Sequence, residues 1–374
     1  MSDQDLKREL PQFAGRGAQF NPPNRFERVR LHTDCEEVAD GTVAADTDSL
    51  DGVHDDRRKV ATEYYVDDSK SILSENNSPD IPFRYSLNPY RGCAHGCAYC
   101  YARPTHEYLG LSAGLDFESK IMVKMRAAEL LREQLSKSSW QSEAIMLSGV
   151  TDCYQPVERQ LQITRSCLQV AQEFNQPISI VTKNALVTRD IDILAAMAQR
   201  NLTRVAISLT SLDQGLTRVL EPRTSSPTAR LQAMQQLSQA GIPVTVMTAP
   251  IIPGLNDSEI PALLQAAREH GATYAGYVLL RLPLTVKPIF LDWLERNVPS
   301  QQAKIESLIR QTRQGEFNQV QFGERMRGSG ALAEHLQQTF KVFSLKTGLQ
   351  HKPPGLDCSR FRVPVEQSQQ MWLF

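Results

Sequence analysis

Arg91-Gly92-Cys93-Ala94-His95-Gly96-Cys97-Ala98-Tyr99-Cys100-Tyr101-Ala102-Arg103 places three cysteines within eight residues. Their spacing is C-x3-C-x2-C, with an aromatic residue directly before the last. Iron–sulfur clusters are held by cysteine thiolates, and a complete [4Fe–4S] site uses four. Three thiolates in one short loop hold three corners of a cube and leave one iron without a protein ligand. Glycine adopts backbone conformations closed to other residues, so Gly92 and Gly96 let a short loop wrap such a group. Backbone N–H groups of the loop then tune its potential.

Structural zinc is the competing reading, with His95 or His106 as fourth ligand. Zinc sites usually join C-x2–4-C to a second pair far along the chain. The other cysteines, Cys35, Cys153, Cys167 and Cys358, stand alone. An inert cysteine core is the blander reading, but thiols seldom crowd a glycine-rich loop for packing alone.

Outward from the loop, short apolar runs alternate with longer amphipathic ones. Strands are expected at Arg84–Leu87, Ala144–Leu147, Ile178–Val181, Val205–Leu209, Val244–Met247 and Tyr274–Leu280. Helices are expected over Ile121–Leu135, Arg159–Phe174, Asp190–Ala198, Ser226–Ala240 and Asp257–His270. Pro227 suits a first helical position, and Gly241 and Gly271 suit helix ends. Strands buried on both faces and joined by helices imply a parallel sheet with right-handed crossovers. The alternation alone suits a partial (β/α)6 barrel and a doubly wound sheet about equally. In both, ligands gather at the strand C-termini. After Pro283 the alternation stops; Phe290–Asn297 and Gln301–Gln314 read as helices, and the remainder is mixed.

The 374 residues suffice for one barrel-sized core with extensions. The expected division is an irregular, partly disordered N-terminal extension (1–80), a core (81–285), and a helical and mixed C-terminal extension (286–374) that ends in a free tail. Residues 34–56 carry many acids and no Lys or Arg, the composition of a solvated tether. A net charge of −1 supplies no global field to recruit nucleic acid or lipid. No apolar run is long enough to span a bilayer, so no membrane is expected. The Met1–Lys7 start has no apolar signal core, and a cytoplasmic location with reduced or metal-bound cysteines is expected.

C-x3-C-x-aromatic-C resembles the motif of the radical SAM superfamily. The longer string from Ser86-Leu87-Asn88-Pro89-Tyr90 to His106-Glu107-Tyr108 resembles its spore photoproduct lyase-like, DNA-repair-photolyase-like branch. The resemblance spans roughly residues 80 to 330 and favours the partial barrel. It implies a [4Fe–4S] cluster on Cys93, Cys97 and Cys100, whose open iron chelates S-adenosyl-L-methionine. Reductive cleavage of that cofactor yields a 5′-deoxyadenosyl radical, which takes hydrogen from a substrate. A low-potential donor such as flavodoxin or ferredoxin is implied as a partner. A nucleic-acid lesion, with DNA as partner, is the implied substrate; modification of a protein, peptide or RNA is the alternative, and a non-catalytic cysteine-rich zinc or iron–sulfur module is the rival from another class.

The resemblance also suggests which strand ends meet the cofactor. Ser148, Gly149, Thr151 and Asp152 follow the second strand and suit the methionyl ammonium. Lys183 follows the third and suits its carboxylate. Ser208 and Thr210 at the fourth offer hydroxyls to the ribose. Ile251 or Ile252 at the fifth, and Tyr99 before the third cysteine, suit the adenine. Arg103 and Arg281 are candidates for an anionic substrate. Spore photoproduct lyase carries a hydrogen-donating cysteine in a string resembling C-T-S-D. Here Cys153 is displaced to the far side of Asp152, so it reads as a catalytic hydrogen donor or as a packing residue.

Gln370-Met371-Trp372-Leu373-Phe374 resembles the Q-L-x-L-F peptide that docks on the bacterial sliding clamp. An extended tail inserts its leucine and phenylalanine into a preformed groove.

Overall fold

A computed structural model of the chain describes residues 13–26 and 59–364. The acidic stretch and the clamp-like tail lie outside the described residues. Ten strands run in chain order: β1 (Glu63–Val66), β2 (Leu73–Glu75), β3 (Tyr85–Leu87), β4 (Tyr90–Arg91), β5 (Lys120–Val123), β6 (Ile145–Leu147), β7 (Ile178–Thr182), β8 (Thr203–Ser208), β9 (Val244–Ile251) and β10 (Tyr274–Leu279). One sheet has the order β10-β9-β8-β7-β6-β3-β2. All its pairings are parallel except β2 with β3. The six expected strands are therefore its parallel members, in sequence order. That is the partial (β/α)6 arrangement, with its crossover helices at Ala127–Leu135, Ile163–Glu173, Ile191–Ala198, Pro227–Gln239 and Ile260–Glu269.

Local chemistry explains the elements. In β7 the run Ile178-Ser179-Ile180-Val181-Thr182 is rich in β-branched residues and nearly all buried, as a central parallel strand requires. Ser226 caps the helix Pro227–Gln239 by accepting from the Ala229 N–H, and Gly241 leaves it at φ +75°. The helix expected over Arg159–Phe174 is divided into Glu158–Leu161 and Ile163–Glu173 at Gln162, whose φ is +51°.

The helix expected over Ile121–Leu135 begins later. Lys120–Val123 is β5, and the helix runs over Ala127–Leu135. Ile121 and Val123 are buried while Lys120 and Met122 are less so, the period-two pattern of a strand. β5 pairs with β1 and β4 in a small second sheet. The N-terminal extension thus supplies β1 and β2, whereas its irregular part, residues 13–26, packs across the cysteine loop. Beyond β10, helices cover Val286–Asn297, Gln302–Gln311 and Ala331–Thr347. The last, not anticipated from the sequence, buries Ala333, Leu336, Phe340 and Ser344 at helical spacing and packs on Ile260–Glu269.

Candidate active site

The cysteine loop descends from β4 and is coiled by its own backbone. Gly96 N donates to Cys93 O, Cys100 N to Cys97 O, and Arg103 N to Cys100 O. Gly92 and Gly96 hold φ of +77° and +67°, which side-chain-bearing residues resist. Gln155, fully buried, accepts from Ala94 N at 3.0 Å. Ala98 N donates to Leu220 O at 3.0 Å. Arg103 turns away from any substrate. Its guanidinium donates to Cys97 O, Ala113 O and Gly114 O and pairs with the buried Glu118. It is a clamp on the loop and not an anion receptor.

Cys93 and Cys97 are buried and Cys100 half-buried, all as free thiols. Burial pushes the Cys97 and Cys100 thiols up; Glu221 and the neighbouring cysteines push Cys97 further, and Cys93 does so for Cys100. A cationic metal group compensates such crowded sulfur charge. Among the described residues no three His, Cys, Asp or Glu side chains converge as the shell of one metal ion. His95 is occupied elsewhere: Nδ1 faces Asp152 Oδ2 at 3.4 Å and Nε2 lies 3.3 Å from Asn184 Nδ2. Cys153 and Cys167 sit in the main core, and Cys358 lies far along the chain in the C-terminal extension. The donor set fits a cube held at three corners.

Three candidate residues, Ser208, Thr210 and Lys183, gather around a fourth, Tyr99. Its hydroxyl donates to Glu221, and Thr210 Oγ1 donates to the same carboxylate oxygen at 2.6 Å. Arg230 pairs with the other oxygen and donates to Ser208 O at 3.1 Å. Burial raises the Glu221 carboxyl, but Arg230 and Lys183 outweigh it and hold the group below its ordinary range. Lys183 Nζ stands 5.7 Å from the Tyr99 ring centroid. A cationic head over an anchored aromatic face, beside the thiols, suits a zwitterionic cofactor with a planar base. Neither Glu221 nor Arg230 was marked by the sequence: a single charged residue carries no sign of burial until the fold encloses it.

The loop after β6 is pinned at every position. Ser148, at φ +71°, accepts from Cys153 N at 2.8 Å. A Cβ on Gly149 would stand 2.8 Å from the Ser86 Cβ, so only glycine fits. Asn88 Oδ1 accepts from Val150 N and Thr151 N at 2.9 and 3.3 Å, and Thr151 Oγ1 donates to Tyr90 O. Asp152 accepts from Thr182 Oγ1, Lys183 N and Tyr154 N. Burial works against its charge, but His95 and these donors bring its pKa to about 2. Asp152 therefore ties β6, β7 and the cysteine loop together.

Two expected residues are buried in the main core. Ile251 joins the main core, whereas Ile252 shares an apolar cluster with Cys97, Ala98 and Tyr99. Ile252 is the first residue past the end of β9, where the chain turns out of the sheet toward the cysteine loop. Cys153 is 0% exposed within the main core, and burial, then Asp152, raises its thiol well above the ordinary range. A thiol that hands hydrogen to a substrate must reach it; this one is enclosed.

A parallel six-strand sheet with a three-thiol loop at its ligand-binding end defines a cluster-dependent S-adenosylmethionine enzyme. The family model described as the Radical SAM superfamily matches residues 87–267, and the chain belongs to that superfamily. An uncharacterized protein of Mycobacterium tuberculosis is 37% identical over 244 residues, covering 64% of this chain and 72% of that one. An uncharacterized protein of Methanocaldococcus jannaschii is 30% identical over 184 residues, covering 49% and 66%. Spore photoproduct lyase complexed with dinucleoside spore photoproduct has a similar fold, with a TM-score of 0.56, 17% identity, and coverage of 77% of this chain and 80% of that one. A mutant of the same lyase with bound AdoMet and the dinucleoside matches equally. The cofactors of this protein are a [4Fe–4S] cluster and S-adenosylmethionine. Among the described residues no helix is long and apolar enough to cross a membrane.

Proposed function

We propose that the protein repairs or remodels a nucleic-acid lesion by radical chemistry. Cys93, Cys97 and Cys100 hold the cluster. When bound, the cluster and S-adenosylmethionine supply a one-electron cleavage that yields a 5′-deoxyadenosyl radical. The chain's own residues bind, orient and exclude water. Tyr99, fixed by Glu221, offers its ring to the adenine with Ile252 beside it. Lys183 pairs with the methionyl carboxylate. The Ser148–Thr151 loop presents backbone carbonyls to the ammonium, while Asp152 and Asn88 keep that loop in place. Flavodoxin or ferredoxin is the reductant, and the cytoplasm supplies both.

The observation that carries the substrate reading is the extent of the likeness to spore photoproduct lyase, 80% of that chain, well beyond a shared cofactor motif. Protein, peptide or RNA modification is the alternative.

The test is anaerobic. Reconstituted protein, S-adenosylmethionine and dithionite are incubated with ultraviolet-irradiated DNA, intact DNA or none, and 5′-deoxyadenosine and lesion content are measured. Lesion loss confined to the irradiated DNA is expected. Cofactor cleavage with every lesion intact would remove the substrate reading and keep the enzyme class.

A further inference from the structure

Arg281 follows β10 by two residues, at the edge of the sheet where parallel α/β folds bind ligands. Its Nε is buried without a partner among the described residues. Its one hydrogen bond among the described residues runs from Nη1 to the Met326 sulfur, a weak acceptor, at 3.4 Å. The guanidinium lies 6.0 Å from the ring centroid of Tyr101, the residue after Cys100. Two other arginines of this corner are spoken for, and Arg327 is exposed. Arg325 pairs with Asp80 at 2.5 Å, and Arg313 donates to the carbonyls of Leu279, Leu280, Glu324 and Arg325. The acid Glu324 is held by the amides of Gln314 and Gln319. Burial, then the nearby Arg325, disfavours the Arg281 charge, while Tyr101 and Asp80 partly offset them.

A guanidinium carries five donors and needs acceptors when it leaves water. Arg281 is half-buried, with its Nε enclosed and unpartnered among the described residues, so an incoming acceptor gains a donor that water does not already satisfy. We propose that Arg281 anchors an oxyanion of the substrate, a phosphate or phosphodiester group, at the β10 end of the active-site mouth. The planar fork matches that group through two parallel N–H···O bonds. The inference rests on, and deepens, the nucleic-acid reading. It places the phosphate contact on the β10 side, beside Tyr101.

Arg281→Met keeps the apolar stem and removes the charge, so it folds at least as well as wild type. The full chain with its cluster reconstituted is compared with this variant and with Arg159→Ala, an exposed arginine used as control. One arm follows the thermal midpoint against inorganic phosphate at constant ionic strength. A second follows anisotropy of a fluorescent single-stranded oligodeoxynucleotide. A gain in midpoint with phosphate, or oligonucleotide binding, that falls by about tenfold in Arg281→Met alone supports the site. Phosphate binding without oligonucleotide binding keeps the anion site and sinks the nucleic-acid substrate. Equal responses in wild type and Arg281→Met, or no response in wild type to either probe, overturn the proposal.

Discussion

Gly17 lies against the Gly96 carbonyl so closely that a Cβ on Gly17 would stand 1.9 Å from that oxygen and 3.0 Å from Ala98 N. The N-terminal segment is thereby seated on the outer side of the cysteine loop. Glu118 fastens it: the carboxylate accepts from Gly17 N at 3.1 Å and Ala18 N at 2.8 Å while pairing with Arg103. Arg16 completes the seam by donating to Glu118 O and Val60 O, both at 2.6 Å. A segment outside residues 87–267 is thus part of the wall of the cluster site.

Gly17→Ala forces the segment or the loop to move. The expected cost is about 1–3 kcal/mol, the usual range for overpacking. Iron retained after desalting, the rate at which cluster colour bleaches in air, and the thermal midpoint are the readouts. Lower retention and faster bleaching are expected. A variant that melts and holds iron like wild type would show the contact to be incidental.

Glu118→Gln removes one charge of a fully buried pair and leaves Arg103 uncompensated. Breaking such a pair costs about 3–5 kcal/mol. Urea unfolding of the apo-protein measures it. The exposed pair Arg126–Glu129 is the comparison, and its removal leaves the urea midpoint unchanged. Similar effects for the two pairs would contradict the clamp.

Tyr99→Phe keeps the ring and removes its anchor. Glu221 retains Thr210 and Arg230, so the fold survives. Loss of a hydrogen bond to a charged group is worth about 1.5–3 kcal/mol. Part of that appears as weaker S-adenosylmethionine binding, by several-fold, with iron content unchanged. Unaltered affinity by calorimetry would separate Tyr99 from the cofactor.

Cys93→Ala, Cys97→Ala and Cys100→Ala each abolish cluster assembly, read as iron and sulfide per chain. Cys153→Ala assembles the cluster normally and cleaves S-adenosylmethionine as wild type does. Its expected effect is a small loss of stability from the vacated core volume. Intact cleavage with complete loss of substrate turnover would instead restore Cys153 as a hydrogen donor.

The sequence by itself marked the three-thiol loop and the six strands, and its family resemblance chose the cofactor class and the partial barrel. Ligand spacing in C-x3-C-x2-C is local, and strand–helix alternation is a one-dimensional pattern. Burial of side chains far apart in the chain was decided only by the tertiary structure. Arg103 and Arg281 look alike in sequence, yet one is consumed by backbone carbonyls and the other keeps a buried Nε without a partner among the described residues. Ile251 and Ile252 are adjacent and identical, yet Ile251 closes β9 in the main core while Ile252, just past the strand end, joins the cluster with Tyr99. Glu221 with Arg230, and Gly17 with Gly96, were illegible because each contact joins segments that meet only when the sheet places the loops at one end.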